Sequence, residues 1–391
     1  MARLFSRTDK RFWSQWWYTV DRQMITLVAL LFACGAIMAF AASPSVAESI
    51  GRGGYYLLYK QIAFLSLAFV AFIGVSMLPP RAIKLLAVLM FVGAVVGLAL
   101  TLFAGTSIKG ATRWIIIAGV SVQPVEFIKP AFAVVMASLL AGHCHTINKH
   151  TLAATGLLAL VVLLLFAQPD IGQSALLIFL WGGIFFLAGG SMRIISTLVI
   201  AGMGLAMYAY YNIAHFHNRI NLFFDPSSGN SYQIDKAMDA IRGSGFTGTG
   251  LGEGQVKSFL PDAHSDYVFA VVAEEVGLIG GVFVMGLFLW LIYLAFSRIR
   301  YETEHWVQLS AGALISLFGL QVFLNLAVNL NILPPKGMTL PFISYGGSSL
   351  LASGVGMGML VGLTRKRIAS AARSPASHTA FAPNKISGGI L

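Results

Sequence analysis

The stretch AIKLLAVLMFVGAVVGLALTLF (82–103) carries a single charge, that of Lys84, and it decides the fold of this chain. A helix needs about 20 apolar residues to cross a hydrocarbon core of about 30 Å. Runs of similar length recur at 24–42, 61–78, 82–103, 124–141, 150–167, 172–189, 192–213, 276–297, 307–329 and 347–363. The sequence therefore predicts an all-α polytopic membrane protein of about ten transmembrane helices. One large loop, 214–275, separates the seventh helix from the eighth.

The composition favours the same fold class. Of the 391 residues 57% are hydrophobic and 10% are charged, and the mean hydropathy is +0.78. Water-soluble domains carry about 25% charged residues. The basic N-terminus lacks a short apolar segment ending in a cleavage site, so the first run is expected to remain as a span. The two cysteines, Cys34 and Cys144, indicate neither a disulfide framework nor a zinc site.

The placement of the positive charge predicts the orientation. The net charge is +11, and sixteen of the 26 Lys and Arg residues lie on the side that holds both termini. Because Lys and Arg of short loops are retained in the cytoplasm, both termini are predicted to be cytoplasmic and 214–275 periplasmic. The same placement argues against nucleic acid as a partner. We expect a cytoplasmic amphipathic arm (1–23), a membrane domain (24–363) and a cytoplasmic, disordered tail (364–391).

The long loop concentrates the acidic residues. Eight of the fifteen acids of the chain lie in it: Asp225, Asp235, Asp239, Glu253, Asp262, Asp266, Glu274 and Glu275. The segment SYQIDKAMDAIR (231–242) has the apolar spacing of a short amphipathic helix. The next segment, GSGFTGTGLGEG (243–254), is half glycine. It could approach a phosphate through its backbone amides, or it could be a flexible hinge between two helices.

A second cluster lies where the loop becomes apolar, in LPDAHSDYVFAVVAEE (260–275). Asp262, His264 and Asp266 fall within five residues at the predicted water–membrane boundary. A carboxylate there is partly desolvated, which suits a general base. Alternatively, acids at a helix start complement the helix dipole. Glu274 and Glu275 lie about two turns deeper, where acids are costly and usually functional.

Opposite charges also occur inside the fourth run, in QPVEFIK (123–129). Glu126 and Lys129 are three residues apart and share a helix face. At membrane depth they are expected to pair, facing the protein interior or a wet cavity. The spacing leaves open whether the pair is structural or lines a substrate site.

External cations suit a diphosphate head group, because guanidinium forks match phosphate oxygens. The candidates are Arg113, Arg219, Lys257 and Lys336; ordinary loop solvation is the alternative for each. No dedicated metal site is evident, since HCH (143–145) lacks a third ligand, although a divalent cation such as Mg²⁺ could screen a diphosphate. The segment PPKGMTLPFISYGGSS (334–349) indicates irregular backbone that re-enters the membrane, tolerable where protein or water satisfies it.

Several of these segments together resemble a known family. The matching segments are TRWI with QPVEFIK (112–129), QPDIG (168–172), FFDP to YQ (223–233), GTGLGEG to VAEE (248–275) and PPKGMTLPFISYGGSS (334–349). They resemble the FtsW/RodA/SpoVE (SEDS) family of peptidoglycan glycosyltransferases, which polymerise lipid II in the bacterial inner membrane. Ala263 and the SYGGSSL ending are more similar to the cell-division branch than to the elongation branch.

The resemblance implies roles for individual residues. It implies that Asp266 is the essential catalytic carboxylate and that Glu126 and Lys129 are the intramembrane pair of the family. His264 and Ser344 lie in the same motifs and are assigned to substrate binding with the cations.

The resemblance also implies a reaction and partners. The expected reaction is one inverting displacement of undecaprenyl diphosphate at the periplasmic face, during septal wall synthesis, with no cofactor evident. The expected partners are lipid II, a class B penicillin-binding transpeptidase and other membrane proteins of the division machinery. A lipid II flippase and a non-catalytic scaffold stay open as alternatives.

Overall fold

The computed structural model describes residues 12–49, 55–108, 111–117, 119–142, 148–212, 217, 221, 232–334 and 337–366. The predicted site residues Arg219 and Lys336 lie outside these ranges. Two compact units are distinguished, one formed by Val20–Arg365 and the other by the residues that precede and follow it. In the terminal unit, helix α1 spans Phe12–Thr19. The elements below belong to Val20–Arg365.

This larger unit is built mainly from helices. They are α2 (Arg22–Ser49), α3 (Tyr56–Ser76), α4 (Pro80–Ala104), α5 (Pro124–Leu140), α6 (Lys149–Ala167), α7 (Ile171–Leu187), α8 (Met192–Asn212), α9 (Tyr232–Gly243), α10 (Val268–Ile299), α11 (His305–Asn329) and α12 (Gly347–Leu363). A helix overlaps each predicted apolar run. Seven of the described helices are long and apolar enough to cross a membrane, and α7 and α12 are shorter apolar helices. The polytopic helical class is confirmed, whereas the count of ten crossings stays a prediction.

The outer surface of the helices is apolar, as a lipid environment requires. On α4 the buried residues recur every three or four positions: Ile83, Ala87, Phe91, Ala94, Leu98 and Thr101. The opposite face is also apolar, with Leu89 62% exposed and Phe103 88% exposed. Exposed apolar surface on this scale marks contact with a membrane or a partner.

Small residues let two central helices approach closely. A Cβ at Gly354 of α12 would lie 2.5 Å from the carbonyl oxygen of Ala68 in α3. One turn further on, a Cβ at Gly358 would lie 2.7 Å from the carbonyl oxygen of Phe72. Glycines four residues apart allow backbone contact between membrane helices, where packing replaces the hydrophobic driving force. The α3–α12 contact therefore depends on these two glycines.

A small antiparallel sheet, which the sequence did not predict, connects α4 to α5. Its strands are β1 (Thr106–Ile108), β2 (Ala111–Ile117) and β3 (Val120–Val122), in the order β1-β2-β3. Gly119 has φ +80° in the turn between β2 and β3. The sheet carries Arg113 on its central strand and ends two residues before α5.

Helix α10 is interrupted at Gly277, whose φ is +72° and ψ −171°. The glycine-rich segment 243–254 crosses this break and satisfies its polar groups. The bonds are Thr249 N to Glu274 O (2.9 Å), Gly250 N to Glu275 O (3.0 Å), Leu278 N to Gly245 O (3.1 Å) and Ile279 N to Phe246 O (3.2 Å). A Cβ at Gly248 would clash with the carbonyl of Glu275. The segment thus caps the break in the helix, and two of its own amides, those of Thr249 and Gly250, are engaged there and are not open to a phosphate.

One predicted helix agrees with the structure, and another begins earlier than predicted. The predicted helix 231–242 is confirmed as α9, Tyr232–Gly243. The eighth run was predicted to begin at residue 276, but α10 begins at Val268. The last eight residues of the predicted loop 214–275 are therefore helical. Glu274 and Glu275 interrupt the apolar pattern there, and the structure buries both.

The segment between α11 and α12 has the irregular backbone that the sequence predicts. Within it Met338, Leu340, Phe342, Ile343 and Ser344 are buried. A Cβ at Gly35 of α2 would clash with the carbonyl of Phe342, so this glycine makes room for the segment. Irregular backbone at membrane depth is tolerated where protein surrounds it.

Candidate functional site

Asp266 lies in the turn 261–267, immediately before α10, and is partly exposed. Its backbone N–H donates to the carbonyl of Asp262 at 3.1 Å. Asp262 has φ +57°, a left-handed conformation that Asp and Asn tolerate better than most residues. A Cβ at Gly337 would lie 3.5 Å from Oδ2 of Asp266, so the backbone of Gly337 runs beside the carboxylate.

The turn is joined to the segment between α11 and α12 through Ser344 and Tyr345. Ser344 Oγ donates to the carbonyl of Ser265 at 2.5 Å and accepts from the N–H of Leu340 at 2.8 Å. Tyr345 N–H donates to the carbonyl of His264 at 2.7 Å, and the two rings meet edge to face at 5.3 Å. The structure therefore brings the predicted residues Asp266, His264 and Ser344 together.

Two asparagines of α11, which the sequence reading missed, hold the same turn. Asn325 Nδ2 donates to the carbonyl of Asp266 at 3.0 Å and to that of Met338 at 2.7 Å. Asn329 Nδ2 donates to the carbonyl of Asp266 at 2.9 Å. Each asparagine is only 1% exposed. The available signal was two amides, four residues apart and so on one face, inside an apolar run.

Glu126 and Lys129 form the ion pair that their spacing predicts. Lys129 Nζ lies 2.7 Å from Oε2 and 2.8 Å from Oε1 of Glu126, and both side chains are buried. The pair borders a cavity of about 20 Å³ together with Gln321 of α11 and Ser353 of α12. The charges thus neutralise each other inside the protein, and the role of the pair in substrate binding stays a prediction.

Arg113 points to a carboxylate in the turn between α6 and α7. Its Nε lies 3.4 Å from Oδ2 of Asp170, and its Nη2 donates to the carbonyl of Pro169 at 2.7 Å. Burial raises the pKa of Asp170, while Arg113 acts to lower it; Glu126 and Lys129 are close enough to act on the same carboxyl. Arg113 and the buried pair therefore share one electrostatic neighbourhood, and the QPDIG motif was the signal for Asp170.

Lys257 is buried and engaged with protein groups. Its Nζ pairs with the carboxylate of Glu275 and donates to the carbonyls of Ala41 (2.9 Å) and Gly252 (3.0 Å). Its backbone N–H donates to Oε2 of Glu274 at 2.9 Å. The three ammonium protons therefore have internal acceptors, and the predicted contact of Lys257 with a diphosphate gains no support here. The deep acids Glu274 and Glu275 serve to fix the loop on α10.

The segment between α11 and α12, together with the first turn of α12, links the Asp266 turn to the start of α5, the helix that carries Glu126 and Lys129. Ser344 contacts the Asp266 turn, while Ser348 Oγ accepts from the N–H of Gln123, just before α5, at 3.0 Å. Nearby, the hydroxyls of Thr339 and Ser349 are 2.5 Å apart. Within the described ranges, His, Cys, Asp and Glu nowhere form a group of three or more that could hold a metal ion.

These features define a class of protein: a multi-pass helical membrane protein with a partly exposed carboxylate held in a turn at the start of a membrane helix. The family model for the FtsW, RodA and SpoVE cell cycle proteins matches residues 21–368. The chain belongs to this family, as the motifs implied.

Similar sequences agree with the assignment. A probable peptidoglycan glycosyltransferase FtsW of Caulobacter vibrioides is 38% identical over 368 residues, covering 93% of this chain and 94% of the relative. A protein of the same description from Alkalilimnicola ehrlichii is 34% identical, covering 88% of this chain and 89% of the relative. The chain is thus a glycosyltransferase of this family.

Solved structures show the same fold. A chain of a peptidoglycan synthase complex that coordinates polymerization and crosslinking has a TM-score of 0.75 at 26% identity, covering 88% of this chain and 97% of that chain. The rod shape determining protein RodA of Thermus thermophilus has a TM-score of 0.67 at 27% identity, covering 89% and 97%. The predicted fold class is confirmed.

Proposed function

We propose that this chain polymerises lipid II into glycan strands at the periplasmic face of the bacterial inner membrane, during synthesis of the division septum. The names of its relatives support peptidoglycan as the product. Their description as FtsW, together with Ala263 and the SYGGSSL ending, supports the septal role. The observation that carries the proposal is the position of Asp266, which is partly exposed in a hydrogen-bonded turn immediately before the apolar helix α10.

Asp266 acts as the general base in this proposal. The 4-hydroxyl of the acceptor sugar attacks the anomeric carbon of the donor, and its proton passes to the Asp266 carboxylate. The bond from that carbon to the diphosphate oxygen breaks, and undecaprenyl diphosphate leaves. An α-linkage becomes a β-linkage in a single displacement, which needs one base and no covalent intermediate. His264 and Ser344 shape the same turn and contribute to the sugar site.

The leaving diphosphate requires cations. Among the residues that the structure describes, Arg113 is the candidate for this role. It lies on strand β2, and its side chain remains 28% exposed although it contacts Asp170. Arg219 and Lys336 are further candidates from the sequence. Glu126 and Lys129 support this region from inside. A divalent cation such as Mg²⁺ would act on the diphosphate oxygens; polymerisation measured in a titration of free Mg²⁺ tests that part of the proposal.

The decisive experiment compares two carboxylates of one turn. Asp266→Asn keeps the shape of the side chain but removes the proton acceptor, so glycan polymerisation from lipid II should fall at least about 10²-fold. Asp262→Asn is the matched control, because Asn tolerates the left-handed backbone of Asp262 as well as Asp does. It should be milder. Both purified variants are assayed in liposomes for strand length and rate, with expression and partner binding as checks.

The same assay separates the alternatives. A flippase or a scaffold needs no proton acceptor at the sugar hydroxyl. Near wild-type strand synthesis by Asp266→Asn would therefore move the flippase or the scaffold ahead of the polymerase.

We also propose a class B penicillin-binding transpeptidase and other division proteins as partners, supported by the similar chain found in a peptidoglycan synthase complex. Polymerisation with and without the transpeptidase tests this.

The proposed orientation has its own test. Both termini face the cytoplasm and most of 214–275 faces the periplasm, on the evidence of the Lys and Arg asymmetry. Compartment reporters fused at Ser228 and at Ser377 should give opposite signals. Equal signals would overturn the ten-span topology.

A further inference from the structure

The main-chain carbonyl of Asp266 receives two amide donors from a neighbouring helix. They come from Asn325 at 3.0 Å and from Asn329 at 2.9 Å, one turn apart on α11. The two residues also contact each other. Asn329 Nδ2 lies 2.9 Å from the main-chain carbonyl oxygen of Asn325 and 3.3 Å from its side-chain Oδ1. Both are almost fully buried. Burying an amide that forms no hydrogen bond costs free energy, so these bonds offset the cost of burying the two side chains.

Each asparagine also makes a second bond that fixes the surroundings of the carboxylate. Asn329 Oδ1 accepts from the N–H of Ala270, in the first turn of α10, at 3.1 Å. The same N–H also reaches the main-chain carbonyl of Tyr267, the N-cap residue, at 3.0 Å, but the side-chain cap comes from another helix. Asn325 Nδ2 holds the carbonyl of Met338, the residue after Gly337, at 2.7 Å. One pair of side chains therefore fixes both the Asp266 turn and the backbone that runs beside its carboxylate.

We propose that Asn325 and Asn329 are positioning residues for the catalytic base. By fixing the carbonyl of Asp266 and the first turn of α10, they set the direction in which the carboxylate is presented beside Gly337. The inference rests on the proposed role of Asp266. The contacts go to the main chain and use neutral groups, so they orient the carboxylate without supplying a counter-charge.

The expected consequence of losing these bonds is a loss of turnover. A displacement of about 1 Å at a reacting group can cost about 10²-fold in rate. Removing one of two anchors should displace the turn less, so we expect a fall in kcat of about 10-fold. The KM for lipid II should stay within about twofold, because neither asparagine is placed against the substrate.

Asn329→Asp is the most informative variant. It keeps the acceptor for the N–H of Ala270, and its negative charge is favourable at a helix N-terminus, so the cap should persist. It loses the donor to the carbonyl of Asp266. Its second carboxylate oxygen is buried against the carbonyl oxygens of Asp266 and Asn325, which costs stability. We therefore expect a lowered melting temperature and, in the protein that remains folded, a lowered kcat. Asn325→Ala removes the other anchor and should act on kcat in the same direction.

Asn148→Ala provides the matched control. Asn148 caps α6 by accepting from the N–H groups of His150 and Thr151 at 2.9 and 3.0 Å. Its removal also costs a helix cap, but it acts outside the site. It should lower the melting temperature without lowering kcat in the protein that remains folded. A fall in kcat equal to that of Asn325→Ala would show that the effect is a general one of lost stability, and would overturn the inference.

The pH profile separates position from charge. If Asn329→Asp acts only by adding a charge near Asp266, its kcat recovers as the pH rises, which would overturn the inference. If it displaces the turn, kcat stays low from pH 6 to pH 9. Wild-type kcat in Asn325→Ala and Asn329→Asp, with Asp266→Asn inactive, would refute the positioning role alone. Activity of Asp266→Asn would instead refute the base, and so the proposed function.

Discussion

Glu126–Lys129 and the turn of Asp266 are both polar structures near apolar helices, yet they are built in opposite ways. In the first, two charges satisfy each other at 2.7 Å, with side chains 7% and 4% exposed. In the second, a partly exposed carboxylate belongs to a turn that neutral amides hold by its main chain. The charges neutralise each other inside the protein in one, and in the other the charge belongs to the carboxylate that we propose as the base.

The difference shows why charge at membrane depth is an incomplete guide to a catalytic site. Lys257 and Glu275 resemble Glu126 and Lys129, because they too form a buried ion pair. This pair connects the loop to α10. Asp266, which we propose as the base, is partly exposed, whereas Glu126, Lys129, Glu274 and Glu275 are buried. Substitutions in the buried pair and at Asp266 should therefore have different effects on stability and on activity.

The largest effect is expected at the buried pair. Lys129→Ala leaves Glu126 as an uncompensated buried charge, which costs about 3–5 kcal/mol of stability. Asp266→Asn, in contrast, should leave the unfolding midpoint near that of the wild type while abolishing turnover. Denaturant unfolding in detergent, with strand synthesis measured in parallel, checks both. Equal loss of stability in the two variants would erase the distinction.

Exchanging the charges sharpens the same point. Glu126→Lys combined with Lys129→Glu should recover part of the stability that either single change loses. The coupling energy from a double-mutant cycle should be well above the scatter expected for independent sites, about 0.3–0.5 kcal/mol. A coupling near zero would mean that the two side chains do not interact in the membrane.

A smaller effect is expected where the glycine-rich loop crosses the break in α10. Gly277→Ala places a Cβ against the backbone of Gly248 and Phe246, at a φ of +72°. With ψ at −171° this is a backbone region used almost only by glycine, which costs other residues about 1–3 kcal/mol, and overpacking costs about 1–3 kcal/mol, so we expect a loss of at least about 2 kcal/mol.

Gly286→Ala is the control for Gly277→Ala. It lies in the same helix, where an added Cβ meets nothing within 4 Å. It should be neutral or stabilise the protein by up to about 1 kcal/mol, because Ala is favoured over Gly in a helix interior. A Gly277→Ala variant as stable as Gly286→Ala would contradict the fitted contact at the break. Thermal unfolding of the two purified variants decides it.

The smallest effect is expected at an exposed pair of the same spacing. Lys236 and Asp239 of α9 are three residues apart, and Nζ of Lys236 lies 3.1 Å from Oδ2 of Asp239. Their side chains are 34% and 57% exposed. Exposed pairs contribute about 0.2–1 kcal/mol and helical pairs lie at the low end, so Lys236→Ala should cost about 0.5 kcal/mol or less. A loss comparable to that of Lys129→Ala would show that spacing, and not burial, sets the energy.

The sequence predicted the helices well because a membrane span is a local property of about 20 residues. It placed the start of α10 eight residues late, since Glu274 and Glu275 break the apolar pattern and their partners lie far back in the chain. It missed the sheet, whose three-residue strands β1 and β3 are too short for a periodic signal. The local composition of a segment does not show which residues elsewhere in the chain it will contact.

The candidate site was predictable only in part, and for the same reason. His264, Asp266 and Ser344 were found through motifs, and Glu126–Lys129 through helical spacing. Asn325 and Asn329 were missed because a neutral amide in an apolar run shows no partner until the fold brings Asp266 beside it. Lys257 was taken as a ligand for phosphate because its exposed position was assumed, and the structure buries it.

The interrupted helix has a consequence for how the protein is made. In lipid, each unsatisfied backbone group costs several kcal/mol, so a broken span cannot wait long without its cap. The cap, 243–254, precedes Gly277 in the chain and is therefore synthesised before the break. The residues of the cap are thus already present when the second half of α10 is synthesised. The order of residues in the gene doubles as an order of assembly, and a circular permutant that placed this loop after α10 would insert the break uncapped.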